Sequence, residues 1–170
     1  CRSTHERMNR EKRFSSGRTQ EISRLLARSL RSAVDLYKLG ERQISVDCDV
    51  IQADGGTRTA AITAGFVALT QALVYLKKRD PQFQWPLKNF VSATSVGMIN
   101  GEAQLDLSYQ EDSAAETDAN FVFNSDGNFV EIQGTAEEKP FSPEQLQQMI
   151  ALAQSGCSQL YSWEKKALEP

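Results

Sequence analysis

An α+β fold, with layered sheets covered by helices, is what this sequence predicts. Three observations carry that expectation. Helical periodicity fills three separate stretches, 19–39, 60–78 and 142–167. Strand-like alternation fills 43–51 and much of 90–135. Glycine-bearing turns, Asn100-Gly101 and Ser125-Asp126-Gly127, divide the second region into two hairpins. With 170 residues, 40% of them hydrophobic, the chain suffices for one compact domain or two small units sharing a core.

Each element has a local reason. Between 19 and 39, Ile22, Leu25, Leu26, Leu30, Ala33, Val34 and Leu36 recur at helical spacing, and Gly40 suits a C-cap. Arg24, Arg28 and Arg31 share another face, as on a solvated surface. Over 43–51, Ile44, Val46, Cys48 and Val50 point one way while Asp47 and Asp49 point the other. A lone strand cannot make a sheet, so more sheet is expected before residue 1. The helix over 60–78 is rich in Ala and Leu, which implies burial on most sides. Pro81 and Pro86 mark a connection, with Trp85 as its expected anchor. Strands over 90–99 and 103–109 form the first hairpin, and strands over 119–124 and 128–135 the second. Tyr109 and Phe129 are expected to pack rather than stack on bases. Ser142-Pro143-Glu144-Gln145 combines an N-cap, a first-position proline and an early acid, and opens the last helix.

Net charge, −3, gives no global argument for nucleic acid, but its distribution does. Residues 1–42 hold eleven Lys and Arg against five Asp and Glu, and the remainder holds eight against seventeen. A basic first quarter suits a polyanion, or an acidic surface of the same or a neighbouring chain. Cys1, Cys48 and Cys157 make no metal or disulfide pattern, and the last two read as packed thiols of a reducing cytoplasm. No membrane-length apolar run or secretory signal is read.

Two short stretches carry chemistry. Asp54-Gly55-Gly56-Thr57-Arg58-Thr59 lies between the strand pattern and the second helix. Glycines allow a sharp turn, a helix N-terminus attracts anions, threonines add hydroxyls, and Arg58 adds a fork suited to phosphate. The same six residues also serve as an ordinary turn and cap. Glu111-Asp112-Ser113-Ala114-Ala115-Glu116-Thr117-Asp118 joins two strands. Its carboxylates suit a divalent ion completed by substrate phosphate, or simply a solvated acidic loop. Together, an anion cradle and a carboxylate cluster are complementary parts of phosphate chemistry.

Several runs closely resemble the bacterial ribonuclease PH family. They are Arg2-Ser3-Thr4-His5, Ser16-Gly17-Arg18-Thr19-Gln20-Glu21-Ile22, the run from Asp47 to Thr59, the acidic run from Glu111 to Asp118, and Val130-Glu131-Ile132-Gln133-Gly134-Thr135-Ala136-Glu137. The resemblance implies a ribonuclease PH-like fold, with a ribosomal protein S5 domain 2-like first part truncated at its start. It divides the chain into 1–80, a phosphate- and RNA-binding part, and 87–168, the part with the acidic site. It implies a phosphate-dependent 3′-to-5′ exoribonuclease, or tRNA nucleotidyltransferase, trimming tRNA precursors in the cytoplasm as a hexameric trimer of dimers, with no membrane partner. Arg18, Gly56, Thr57 and Arg58 match phosphate-binding positions, with Thr59 beside them. Asp112 and Asp118 match positions linked to Mg²⁺ or Mn²⁺ and to acid catalysis, and Arg58 acts with them. Arg2, Arg7, Arg10 and Arg13 fall in a basic RNA-contacting loop. Inorganic phosphate is the implied co-substrate. The alternative is a non-catalytic RNA-binding ring subunit, like an exosome scaffold.

Overall fold

The computed structural model describes residues 17–137 and 139–169. Nine elements follow in chain order: α1 (Gly17–Ser32), α2 (Leu36–Leu39), α3 (Thr57–Arg79), β1 (Val91–Ile99), β2 (Glu102–Leu105), α4 (Tyr109–Ser113), β3 (Thr117–Asn124), β4 (Phe129–Ala136) and α5 (Pro143–Leu168). The strands form one antiparallel sheet in the order β2-β1-β3-β4. Asn100 and Gly101 adopt φ of 51° and 79°, the left-handed pair that a tight hairpin requires.

Strand alternation gives the sheet two working sides. Val91 and Ala93 of β1 and Val122 of β3 join Leu25 and Leu30 of α1 and Ile62, Phe66, Leu69 and Leu73 of α3 in one core. Val96, Met98, Phe121 and Phe123 join Met149, Ala153 and Cys157 of α5 in the other. α5 starts where the capping motif predicts: the Ser142 hydroxyl accepts from the Gln145 N–H, and the Gln145 side chain accepts from the Ser142 N–H. α3 is long and apolar enough to cross a bilayer by length and composition, contrary to the reading that no such run exists. Its Ile62, Phe66, Leu69 and Leu73 are buried in the first core, which accounts for that composition.

Several expectations are corrected. The single helix over 19–39 is broken at Ala33–Asp35. There the Asp35 N–H donates to the Pro86 carbonyl and the Lys88 N–H to the Ala33 carbonyl, while the Asp35 carboxylate caps α2. Residues 43–50 form no ladder, although Ile44 and Val46 do pack against the first core. Alternation fixes which side chains face inward, but a strand also needs a neighbouring backbone, and every ladder among the described residues lies within 91–136. Cys48 is exposed, not packed; Cys157 is buried as expected. Phe83, 3% exposed, anchors the 80–88 connection, whereas Trp85 is 40% exposed. β2 stops at Leu105, and Tyr109 stands exposed as the first residue of α4.

Candidate active site

The glycine turn is built by close contact. A Cβ on Gly55 would lie 1.8 Å from the Leu107 carbonyl oxygen, so only glycine fits against the chain leaving β2. Asp54 Oδ1 accepts from the Gly55 N–H and the Tyr109 N–H, tying the turn to the start of α4. Gly56, with φ 66°, is the N-cap of α3, and no side chain caps it. The first N–H groups of a helix lack intrahelical acceptors, so this end of α3 attracts negative charge. Thr59 is 3% exposed and donates its hydroxyl to the Gly56 carbonyl at 2.8 Å. That hydroxyl braces the turn from inside rather than reaching outward.

Arg58 leaves the first turn of α3 and approaches α1, where its Nη1 lies 3.8 Å from Glu21 Oε1. Arg18 sits one helical turn before Glu21. Gln133 of β4 donates from Nε2 to the same Glu21 oxygen at 3.3 Å. Asp118 stands on β3 across from Gly97 of β1 and Thr135 of β4. Burial pushes its carboxyl above the ordinary value; the Asp112 charge adds to this, Arg58 opposes it, and Glu137 and Glu21 contribute smaller increments. Asp118, Asp112, Arg58, Glu137 and Glu21 therefore share one electrostatic field. Asp112 belongs to α4, whose capping box pairs Ser108 with Glu111.

Asp118 thus feels the charges of both Asp112 and Arg58, and Arg58 itself follows the Gly56-Thr57 turn at the start of α3. Arg2, Arg7, Arg10 and Arg13 lie outside the described residues. Glu21, Gln133 and Glu137 are neighbours that reasoning from sequence did not assign to the site. They stand in the runs that carry the family resemblance, but nothing in their local pattern distinguishes them. For a metal, no group of three or more His, Cys, Asp or Glu among the described residues forms a ready cage. Asp112 and Asp118, with Glu137 and Glu21 in the same field, are hard carboxylate donors of the kind Mg²⁺ takes when water completes its shell.

Known proteins resemble this chain in sequence and in fold. Residues 2–74 match the model of domain 1 of the 3′ exoribonuclease family, and residues 89–156 match domain 2. The chain is 57% identical over 160 residues to the protein named Ribonuclease PH from Bdellovibrio bacteriovorus, covering 94% of this chain and 66% of that one. It therefore spans slightly less than two thirds of that relative's length. The fold resembles the crystal structure of rice (Oryza sativa) Rrp46, with a TM-score of 0.67 at 20% identity, covering 91% of this chain and 67% of that one. It also resembles the Archaeoglobus fulgidus exosome with RNA bound to the active site, with a TM-score of 0.65 at 17% identity, covering 87% and 62%. With both domain models matched in order and together taking in most of its length, the chain belongs to the 3′ exoribonuclease family.

Proposed function

We propose that this chain performs phosphate-dependent 3′-to-5′ exoribonucleolysis as a tRNA nucleotidyltransferase of the ribonuclease PH type, trimming the 3′ ends of tRNA precursors and of ribosomal RNA. The observation that carries the reading is the single field shared by Arg58, at the N-terminus of α3, and the Asp112–Asp118 pair. An anionic nucleophile must be held against an anionic substrate. Arg58, Arg18 and the N–H groups of the Gly56-Thr57 turn offset that repulsion. An oxygen of inorganic phosphate attacks the last phosphodiester phosphorus, and the bond from phosphorus to the 3′ oxygen breaks. The electron pair leaves on that oxygen, which takes a proton, and the terminal nucleotide departs as a diphosphate. Asp118 can give that proton, because burial favours its neutral form. Asp112 and Asp118 would hold Mg²⁺ or Mn²⁺, which supplies charge neutralisation at phosphoryl oxygens.

The relative's name and the exosome title support an RNA partner; Arg2, Arg7, Arg10 and Arg13 are its proposed contacts on the strength of the basic sequence around them. The assembly that goes with this reading is a homo-hexamer arranged as a trimer of dimers, and the cysteine usage fits the cytoplasm. The test is product identity. RNA incubated with the protein, phosphate and Mg²⁺ should lose 3′ nucleotides as nucleoside diphosphates, and Arg58→Ala should slow this by about 10²–10³-fold. Unchanged turnover in that variant removes Arg58 from the mechanism. Salt-sensitive RNA binding without any diphosphate product points instead to the non-catalytic ring subunit. Monophosphate release without added phosphate points to a hydrolase.

A further inference from the structure

The side-chain bridges from Arg28 and from Glu21 of α1 to β4 differ in kind. Arg28 clasps Glu131 at two points, with Nε 2.9 Å from Oε2 and a second, closer contact from Nη2 to Oε1. The second bridge runs from Gln133 Nε2 to Glu21 Oε1 at 3.3 Å and continues to Arg58 Nη1 at 3.8 Å. Glu131 and Gln133 lie two apart on β4 and so share a face; Arg28 and Glu21 lie seven apart on α1, two turns of one side. At 3.8 Å the Arg58–Glu21 contact exceeds hydrogen-bond length. Among the described residues, the carboxylate therefore aims the guanidinium by charge and leaves its N–H donors available to a ligand. Gln133 cannot be turned over in this arrangement, since its carbonyl would then face the carboxylate.

We infer that Glu21 is a positioning residue for phosphate: anchored by Gln133, it orients the Arg58 fork toward the α3 N-terminus without occupying that fork's donors. This rests on the proposed phosphorolytic reading and deepens it, by making the α1–β4 contact part of the phosphate site. A side chain with as many rotamers as arginine samples many positions unless something fixes it. Misplacement by about an ångström is enough to weaken a bidentate contact substantially.

The experiment measures phosphorolysis against phosphate concentration in Glu21→Ala, Glu21→Gln and Gln133→Leu. Binding of inorganic phosphate to the same proteins without RNA is followed in parallel by ³¹P NMR titration. Glu21→Ala should raise the KM for phosphate by about tenfold, with kcat at saturating phosphate within about twofold of the parent. Glu21→Gln, which keeps the shape and loses the charge, should fall between, as should Gln133→Leu. Arg28→Ala cuts only the first bridge and should leave the phosphate KM unchanged. A phosphate KM unaffected in both Glu21 variants overturns the inference, and so does a loss confined to kcat and melting temperature. A lower KM also overturns it, because Glu21 would then be competing with phosphate for Arg58. If the parent binds phosphate but makes no diphosphate, weaker binding by Glu21→Ala sustains the positioning role while the exoribonuclease reading fails. If the parent binds no phosphate at all, both fail.

Discussion

The side of the sheet that faces α1 and α3 changes character along its length. At one end Val91, Ala93 and Val122 meet Leu25, Ile62 and Phe66 in a closed apolar core. Two residues further along β1 the same face presents Ser95 and then Gly97, opposite Asn120 and Asp118. Beyond those stand Gln133 and Thr135 of β4. The strands, the alternation and the covering helices are the same; only the side-chain chemistry differs. The apolar end holds α1 and α3 at fixed positions, and the helix N-termini then overhang the polar end carrying Arg18, Glu21 and Arg58. Polar groups are buried there at a cost: Ser95 Oγ and Gln133 Oε1 have no hydrogen-bond partner among the described residues. The core is what allows that end to be less than optimal for stability.

The harshest way to break this contrast is Phe66→Ala. Phe66 is fully buried and its ring lies 5.1 Å from that of Phe90. Deleting it should destabilise the fold by about 3–5 kcal/mol, read as a lower urea midpoint. Under conditions where the variant is still folded, its phosphate KM should be close to the parent's. A large KM change in folded protein would mean that the two ends are not separable.

A smaller effect comes from a buried acid outside the polar row. Glu164 of α5 is 2% exposed, and neither carboxylate oxygen has a partner among the described residues. It lines a cleft between α3 and α5 that Asp106, Thr59 and Trp163 also line. Burial pushes its carboxyl from an ordinary 4.5 up to about 8. Below about pH 4.5 both folded and unfolded chains hold the proton and nothing is lost. As pH rises from there to about 8, the unfolded chain gives up the proton while the folded chain keeps it, so stability falls. Glu164→Gln removes the titration. It should match the parent near pH 4 and exceed it by a few kcal/mol at pH 8, followed by urea midpoints across that range. Parallel curves for the two proteins would show that Glu164 ionises freely in the folded state.

Local signals account for what was legible in the sequence. The Ser142 capping box, the Asn100-Gly101 turn and the apolar stretch after Thr57 each act over a few residues, and each element starts or turns where they indicate. α4 was missed inside the acidic loop although Ser108 and Glu111 spell its capping box. The 43–51 pattern gave correct inward faces at Ile44 and Val46 but no ladder, because pairing depends on backbone elsewhere in the fold. The site divides the same way. Arg58, Asp112 and Asp118 were picked out by short motifs and by resemblance. Glu21 and Gln133 meet across 112 positions of chain through the packing of α1 on β4, which no window of sequence reports.

The smallest effect belongs to the bridge that does not reach the site. Arg28 is about half exposed while Glu131 is largely covered, their side chains being 48% and 15% accessible. Their contact is made at two points, but exposed ion pairs gain little over hydration and are screened by salt. Arg28→Ala should therefore lower stability by less than about 1 kcal/mol, and a double-mutant cycle with Glu131→Ala should return a coupling that shrinks as salt rises. The neighbouring Glu21–Arg58 contact is longer and poorer as a bond, yet its loss should be felt in phosphate affinity. A coupling for Arg28–Glu131 well above 1 kcal/mol and insensitive to salt would make this bridge a principal support of α1. The polar end of the sheet would then be held by its own ion pair as much as by the apolar core behind it.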